Sequence, residues 1–370
     1  MGKVQFSEPL RFLIKLGFSP YQTENSSCIK RIFCVVIFLC VVISSCLELS
    51  TNFNKATIIR GCELLSPYYQ VACRFFVLIK HKNKLKVLLE ESAHFWELDE
   101  FGDPHDNTNT KIHKLLEKSF QMYRRLLYFS AVQYILGAIF NEQPMTLSYG
   151  ETQGLNFKFR ILYFVFHLVY LFVILTVVCG YDGVFFYIIA HILSELKMVK
   201  AAFGNSPIRT QWNSEERFRK ATEHHRFLLK FTESVDRVYS LMLMHQQFSF
   251  TFGLCFASYL LIENGMPPDF EHLVKYLPYI ILYFLQVWMY CFIGDLISSW
   301  SLEISDEVFY QHWLFNTSQS KLGTIIVMQR SQRPACLTLA GFRNLDLNNF
   351  TVVVKNAASF FTFVNTIVNQ

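Results

Sequence analysis

Two short stretches carry the residue types that bind metals or move protons. Asp103-Pro-His-Asp106 gathers two carboxylates and an imidazole, and His224-His225 stands between Glu223 and Arg226. The first lies in EFGDPHDNTNTK (100–111), polar with Gly and Pro, which reads as a flexible loop. The second falls in a charged helical stretch and reads as a solvated face. The ten cysteines form no C-x-x-C pair, and the HExxH, G-x-S-x-G, Walker and G-x-G-x-x-G spacings are absent. No catalytic constellation, metal site or cofactor is expected, and the chain does not read as an enzyme.

A different chemistry is written into the last stretch, NNFTVVVKNAASFFTFVNTIVNQ (348–370). At 100° per residue, Asn348, Thr351, Lys355, Ser359, Thr362, Thr366 and Asn369 share one stripe, while Val352, Val353, Phe360, Phe361, Val364 and Val368 fall elsewhere. In a membrane such a stripe must face water or other polar protein groups, because lipid satisfies neither hydroxyls nor amides. Pore lining and a polar contact inside a bundle are the two readings this pattern leaves open.

The elements that position this stripe are membrane helices. The chain is 52% hydrophobic and only 17% charged, with a mean hydropathy of +0.25 and 38 Phe. That is too apolar for an ordinary soluble domain. A bilayer core of about 30 Å takes roughly 20 apolar residues per helix. Runs of that length fall near 32–50, 126–147, 159–180, 240–262, 276–300 and 343–368. A weaker seventh at 61–80 is interrupted by Glu63 and Arg74, which must face protein or water.

Charge orients the set. With the N-terminus inside, the outer segments hold only Lys55, Arg60, Lys158, Arg160 and Lys275, and all other Lys and Arg except Arg74 and Lys355 fall on the cytoplasmic side. The basic balance is thus accounted for by the inner membrane surface, with no nucleic-acid partner. The sequons at Asn25, Asn316 and Asn349 also fall inside. VFFYIIAHILSELKMVKAAF, after Gly180-Tyr-Asp-Gly183, has too short an apolar run to span. It reads as an amphipathic continuation of the fourth helix. The fold class is an all-α membrane protein of seven transmembrane helices, with a cytoplasmic N-terminus and an extracellular C-terminus. Cytoplasmic anchor helices complete it.

The stretch VFYQHWLFNTSQSKLGTIIVMQRSQRPACLTLAGFRNLDLNNFTVVVKNAASFFTF resembles the C-terminal signature of insect odorant receptors. The matching features are the aromatic-x-x-His-Trp at Phe309 to Trp313, MQRSQRP at Met328 to Pro334, Gly341-Phe342, and the Leu345-Asp-Leu...Phe350 lead-in. LRFLIKLGFSP (10–20) resembles the family's segment before the first helix. The resemblance implies a subunit of a tetrameric, odorant-gated, non-selective cation channel, in which a variable odorant-binding subunit assembles with co-receptor subunits in the cell membrane of olfactory neurons, among membrane lipid. It further implies a ligand-binding bundle over 1–300, an anchor region over 301–341 carrying Tyr310, Trp313, Gln329, Arg330 and Pro334, and a pore helix over 342–370. Lys355, Ser359, Thr362 and Thr366 then face the pore, and Phe363 with Ile367 align with its narrow gate.

By the same resemblance a small volatile sits in the outer half of the bundle. Tyr68, Tyr69, Tyr134, Phe164, His167, Tyr170, Tyr259 and Tyr283 are the candidate contacts, and His167 is the preferred orienting hydrogen-bond group. Each has packing as its plainer role. A seven-helix G-protein-coupled receptor and a gustatory-type channel subunit are the alternatives. The charge bias and the missing Asp-Arg-Tyr and Asn-Pro-x-x-Tyr motifs oppose the first. The missing Thr-Tyr and Gln-Phe landmarks oppose the second.

Overall fold

The computed structural model describes residues 8–22, 24–51, 55–96, 108–140, 157–204, 213–263, 265, 267–312 and 318–368. Asp103, His105, Asp106, Trp313 and Asn316 lie outside these residues. Ten α-helices follow in order: α1 (Glu8–Leu16), α2 (Glu24–Thr51), α3 (Lys55–Lys80), α4 (Lys82–Glu91), α5 (Thr108–Phe140), α6 (Phe157–Phe203), α7 (Ser214–Leu261), α8 (Phe270–His312), α9 (Ser318–Ser331) and α10 (Leu347–Val368). A two-stranded hairpin, β1 (Thr338–Leu339) and β2 (Arg343–Asn344), connects α9 to α10.

Seven of the helices, α2, α3, α5, α6, α7, α8 and α10, have 22 residues or more and coincide with the seven expected spans. Among the described residues, Ser27–Thr51, Ile161–Phe203 and His272–Tyr310 are apolar enough to cross a membrane by composition alone. The other four carry more polar groups, and in α3 the bundle satisfies a charged one. Arg74, expected to need a partner, is fully buried and grips Asp182 of α6.

Helix α6 has 47 residues, about 70 Å at 1.5 Å per residue, so it leaves any 30 Å slab. It continues unbroken through Gly180 and Gly183, as expected. Its inner half is not amphipathic, however: Leu193, Met198 and Phe203 are fully buried, and so are Ser194 and Glu195. The reason is that α1 packs along it and α5, α7 and α8 cover the rest. The two glycines make the α1 contact. A Cβ on Gly180 would stand 2.7 Å from Leu13 Cδ2, and one on Gly183 would stand 2.6 Å from Pro9 Cβ.

Proline at position 278 lies inside α8. It has no N–H to give the carbonyl of Val274 one turn earlier. Gln133 of α5 donates to that carbonyl at 3.4 Å, so a neighbouring helix satisfies what the proline frees. Asn213 caps α7 by accepting from the Glu216 N–H at 2.8 Å.

The stretch 301–341 is more divided than one anchor helix. Helix α8 runs without a break past residue 300 to His312, and α9 packs back on it. The hairpin then turns through Ala340 (φ 51°) and Gly341 (φ 79°), a pair of left-handed residues that suits the twist of its strands. Asp236 of α7 pins it, accepting from the Thr338 N–H at 2.6 Å and from Thr338 Oγ1 at 2.8 Å.

The pair His224-His225 is not a solvated face. Both rings are buried. His224 Nε2 lies 2.5 Å from Glu195 Oε2 of α6, and its ring stacks on Trp96 at 3.8 Å. The interhelical packing of α6 against α7 overrides what the flanking charges suggest. Among the described residues no three His, Cys, Asp or Glu side chains converge on a metal position.

Candidate functional site: the last helix and the buried aromatic clusters

Helix α10 starts where Asp346 Oδ1 accepts from the Asn349 N–H at 2.6 Å, the capping role that its sequence position suggests. Its packed side is buried at Asn349, Val353 and Ala357, four residues apart. Farther along, Phe361 and Val364 join a small cluster with Ile59, Tyr259, Leu260 and Tyr276. Phe360 meets Phe252 edge-on at 5.3 Å. The opposite side carries Asn348, Thr351, Lys355, Ser359, Thr362 and Thr366, all exposed in the single subunit. The hydroxyls of Thr351, Thr362 and Thr366 donate to carbonyls one turn back at 2.8–3.2 Å. Phe363 is 58% exposed beside this stripe, and the side chain of Ile367 lies outside the described set.

The end of the subunit formed by α9 and the C-terminal part of α8 also presents unburied groups. Tyr310 is 72% exposed, and Gln329, Arg330 and Pro334 are exposed as well. Arg330 Nη1 donates to the Arg333 carbonyl at 3.1 Å, which bends the chain out of α9. The apolar side chains Leu322, Ile325 and Ile326 of α9 extend the same uncovered surface.

The eight sequence-nominated ligand contacts do not form one pocket. Tyr68, His167 and Tyr170 come together: Tyr170 is edge-on to Tyr68 and to His167, each at 6.4 Å. All three are buried, and Phe38 of α2 closes on Tyr68 at 6.3 Å. Tyr68 exchanges a hydrogen bond with Ser45 of α2 at 3.1 Å. His167 Nδ1 lies 3.0 Å from the Tyr163 carbonyl one turn back. Phe164, one turn before His167 on α6, is half-buried, and Tyr134, exposed, lies near Tyr170.

Tyr283 belongs to a second group on the far side of α3. Ser66 Oγ donates to the Ser249 carbonyl at 2.7 Å and lies 2.8 Å from the Tyr283 hydroxyl, which Tyr279 meets at 2.7 Å. Ser66 and Tyr68 differ by two residues, or 200° around the helix, so the two groups face away from each other. Gly253 makes room here, since a Cβ would stand 2.6 Å from Ser66 Oγ. Tyr259 sits in the satellite cluster against α10. Tyr69 turns outward, bonds to His245 Nδ1, and lines an open groove of about 260 Å³ with Cys73 and Phe76.

Sequence reasoning missed the polar centre beneath these rings. Arg74 donates from Nε and Nη2 to the two carboxylate oxygens of Asp182, both at 3.1 Å. Tyr123 of α5 donates to Asp182 Oδ2 at 3.1 Å, and Gln286 of α8 reaches Tyr123 at 2.9 Å and Asp182 at 3.4 Å. Arg74 alone signalled it, as an arginine in an apolar run; its partner Asp182 stands in Gly180-Tyr-Asp-Gly183, which gave no sign of pairing with it.

Comparison with known proteins agrees with this architecture. The family model described as "7tm Odorant receptor" matches residues 62–358. Putative odorant receptor 92a of Drosophila melanogaster is 25% identical over 143 residues, and odorant receptor 67c of the same fly is 26% identical over 144; each alignment covers 39% of this chain. The aligned stretch spans about a third of the length of these relatives, 34% in both cases. In structure, the olfactory receptor OR5 of Machilis hrabei, solved in complex with eugenol, superposes with a TM-score of 0.79 over 97% of both chains at 14% identity. The helical order, the motif-bearing hairpin before α10 and the family match over most of the length lead to one assignment: the chain belongs to the seven-transmembrane odorant receptor family of insects.

Proposed function

We propose that this chain is the variable, odorant-binding subunit of a ligand-gated, non-selective cation channel, assembled as a tetramer with co-receptor subunits in the cell membrane. Its N-terminus is cytoplasmic and its C-terminus extracellular. Residues 1–300 hold the ligand in the outer half of the bundle. Residues 301–341 anchor neighbouring subunits through the surface around Tyr310, Gln329, Arg330 and Pro334, with Trp313 beside them in sequence. Residues 342–370 line the pore.

The observation that carries this reading is the two-sidedness of α10. Its Val353 and Ala357 side is buried against the subunit's own helices, while the Thr351, Lys355, Ser359 and Thr362 side is left uncovered. Lipid is a poor solvent for an ammonium group and for amides, so a shared aqueous path is the stable surrounding for that side. Phe363 and Ile367, one turn apart, narrow the path; a ring of such side chains closes a pore by dewetting and opens it when the helices separate. The lining carries no acidic ring, which fits weak selectivity among cations.

A small volatile gains affinity mainly from shape and dispersion, with few hydrogen bonds. The cluster of Tyr68, His167 and Tyr170 offers such a site, with Phe164 and Tyr134 beside it. Tyr283, Tyr259 and Tyr69 are then contributors to packing or to the walls of neighbouring spaces. Ligand burial stabilises one packing of the outer bundle and shifts the population between closed and open pores.

The test is whole-cell current during a volatile panel, in cells expressing this chain with and without an insect co-receptor. Cation current that needs both chains is the expected result. Failure of the two chains to associate at the cell surface overturns the proposal.

A further inference from the structure

We infer that the groove between α3 and α7 is a phospholipid site: it takes one acyl chain, and Lys80 with Arg237 at its end holds an anionic headgroup. The site follows from the membrane-spanning fold. That its headgroup belongs to the cytoplasmic leaflet rests on the orientation proposed above.

Ser66 meets Ser249 and Tyr69 meets His245, so the two helices run antiparallel. Beyond these contacts they leave an open groove of about 260 Å³. Val77 and Met242, both buried, form its floor, and the exposed side chains of Tyr69, Phe76 and Leu241 form its rims. Tyr69, Cys73 and Phe76 are spaced by four and three residues, so the α3 wall is one continuous face. The Tyr69 hydroxyl and His245 Nδ1 are bonded to each other at one end, which leaves a mainly apolar surface between there and Phe76. Such a surface is unfavourable against water and is covered well by a hydrocarbon chain.

The other end is cationic. Lys80, in the last turn of α3, holds its Nζ 5.0 Å from the centre of the Phe76 ring, on the rim of the groove. Arg237 is exposed one turn before Leu241 on α7, and its Nε donates to the Glu233 carbonyl at 3.4 Å. Among the described residues neither cation makes an ion pair. They stand at the ends of the apolar runs 61–80 and 240–262, the level at which a bilayer places its phosphates. Two converging cations favour a headgroup of net negative charge over a zwitterionic one.

Length selects the occupant. From Lys80 back to Tyr69 the helix rises about 16 Å at 1.5 Å per residue. That is close to half of a hydrocarbon core of about 30 Å, the depth of one leaflet. A single acyl chain running from the headgroup level to the midplane covers the groove end to end.

The test is native mass spectrometry of the purified full chain, released from micelles carrying equal parts of phosphatidylcholine and phosphatidylglycerol. The wild type is expected to retain phosphatidylglycerol in preference. Lys80→Gln and Arg237→Gln should each cut that preference roughly fivefold. Lys118→Gln, which removes an exposed charge on α5, should leave it unchanged. Ala72→Phe puts a ring into the groove and should lower retention of both lipids. The Gln variants alter exposed side chains, so melting temperatures equal to the wild type are expected and the readout does not depend on lost folding. Equal retention of the two lipids by the wild type, or an unchanged preference in the Lys80→Gln, Arg237→Gln double variant, overturns the inference. Cross-linking of Cys73 to a co-receptor subunit in intact cells would give the groove to a protein neighbour and overturn it as well. If the lipid results are as expected while an N-terminal label is reached from outside the cell, the site stands and the proposed orientation falls.

Discussion

Arg74 and Asp182 face each other through two parallel N–H···O bonds of 3.1 Å, with side chains 1% and 0% exposed. They join α3 to α6 in the middle of the bundle, and Tyr123 and Gln286 tie α5 and α8 to the same carboxylate. Removing one charge strands the other, which costs about 3–5 kcal/mol, whereas replacing both with apolar groups is often close to neutral. Arg74→Leu and Asp182→Asn should therefore each lower the melting temperature of the detergent-solubilised chain strongly. The Arg74→Leu, Asp182→Leu double variant should recover most of the loss. A double variant as unstable as the sum of the singles would count against the pairing.

Gly294 of α8 touches the main chain just before α10, where a Cβ would stand 2.0 Å from the Leu345 carbonyl oxygen. Backbone cannot step aside as a side chain does, so Gly294→Ala must push α8 and the start of α10 apart, at an overpacking cost of roughly 1–3 kcal/mol. Reduced thermal stability together with altered ligand-free current is expected. Gly341→Ala, where nothing lies within 4 Å, should disturb only the hairpin turn that its positive φ serves.

Phe363 gives the opposite expectation. At 58% exposure it contributes little to the subunit's own core, so Phe363→Ala should change stability by less than about 0.5 kcal/mol. If it narrows the pore, ligand-free current should rise several-fold at equal surface density. Normal resting current in that variant would remove Phe363 from the gate.

Acid should loosen the bundle around His191 and His225. Burial, with help from Arg330 and His224, lowers the pKa of His225 to about 4, and burial beside His113 does the same for His191. In the unfolded chain both titrate near the ordinary 6.5. Below that value the unfolded state takes up protons that the folded state refuses, so stability is full above about pH 6.5 and declines as pH falls toward 4. For His225 alone the loss at pH 5 is about 2 kcal/mol. Melting curves at pH 7.5 and 5.0 should show it, and His225→Gln should lose less between the two.

The membrane class, the seven helices and the polar stripe on the last one were determined by the sequence alone. Each is a local, periodic property: length of apolar run, placement of Lys and Arg, and repeat of three or four residues. The C-terminal motifs were legible for the same reason, since MQRSQRP, Gly341-Phe342 and Leu345-Asp-Leu form contiguous chain that leaves α9, turns the hairpin and caps α10.

What only the tertiary structure decided is which side chains meet across helices. Arg74 and Asp182 are 108 residues apart, and nothing in either neighbourhood names the other. His224 reads as surface until Glu195 and Trp96 are brought against it. The inner half of α6 carries charges that suggest a wet face, yet four helices bury it. Tyr68 and Ser66 lie two residues apart and serve opposite sides of α3. Periodicity fixes the direction in which a side chain leaves its own helix; the identity of its partner depends on how long helices cross, and that is settled by packing and by the need to satisfy buried polar groups away from water.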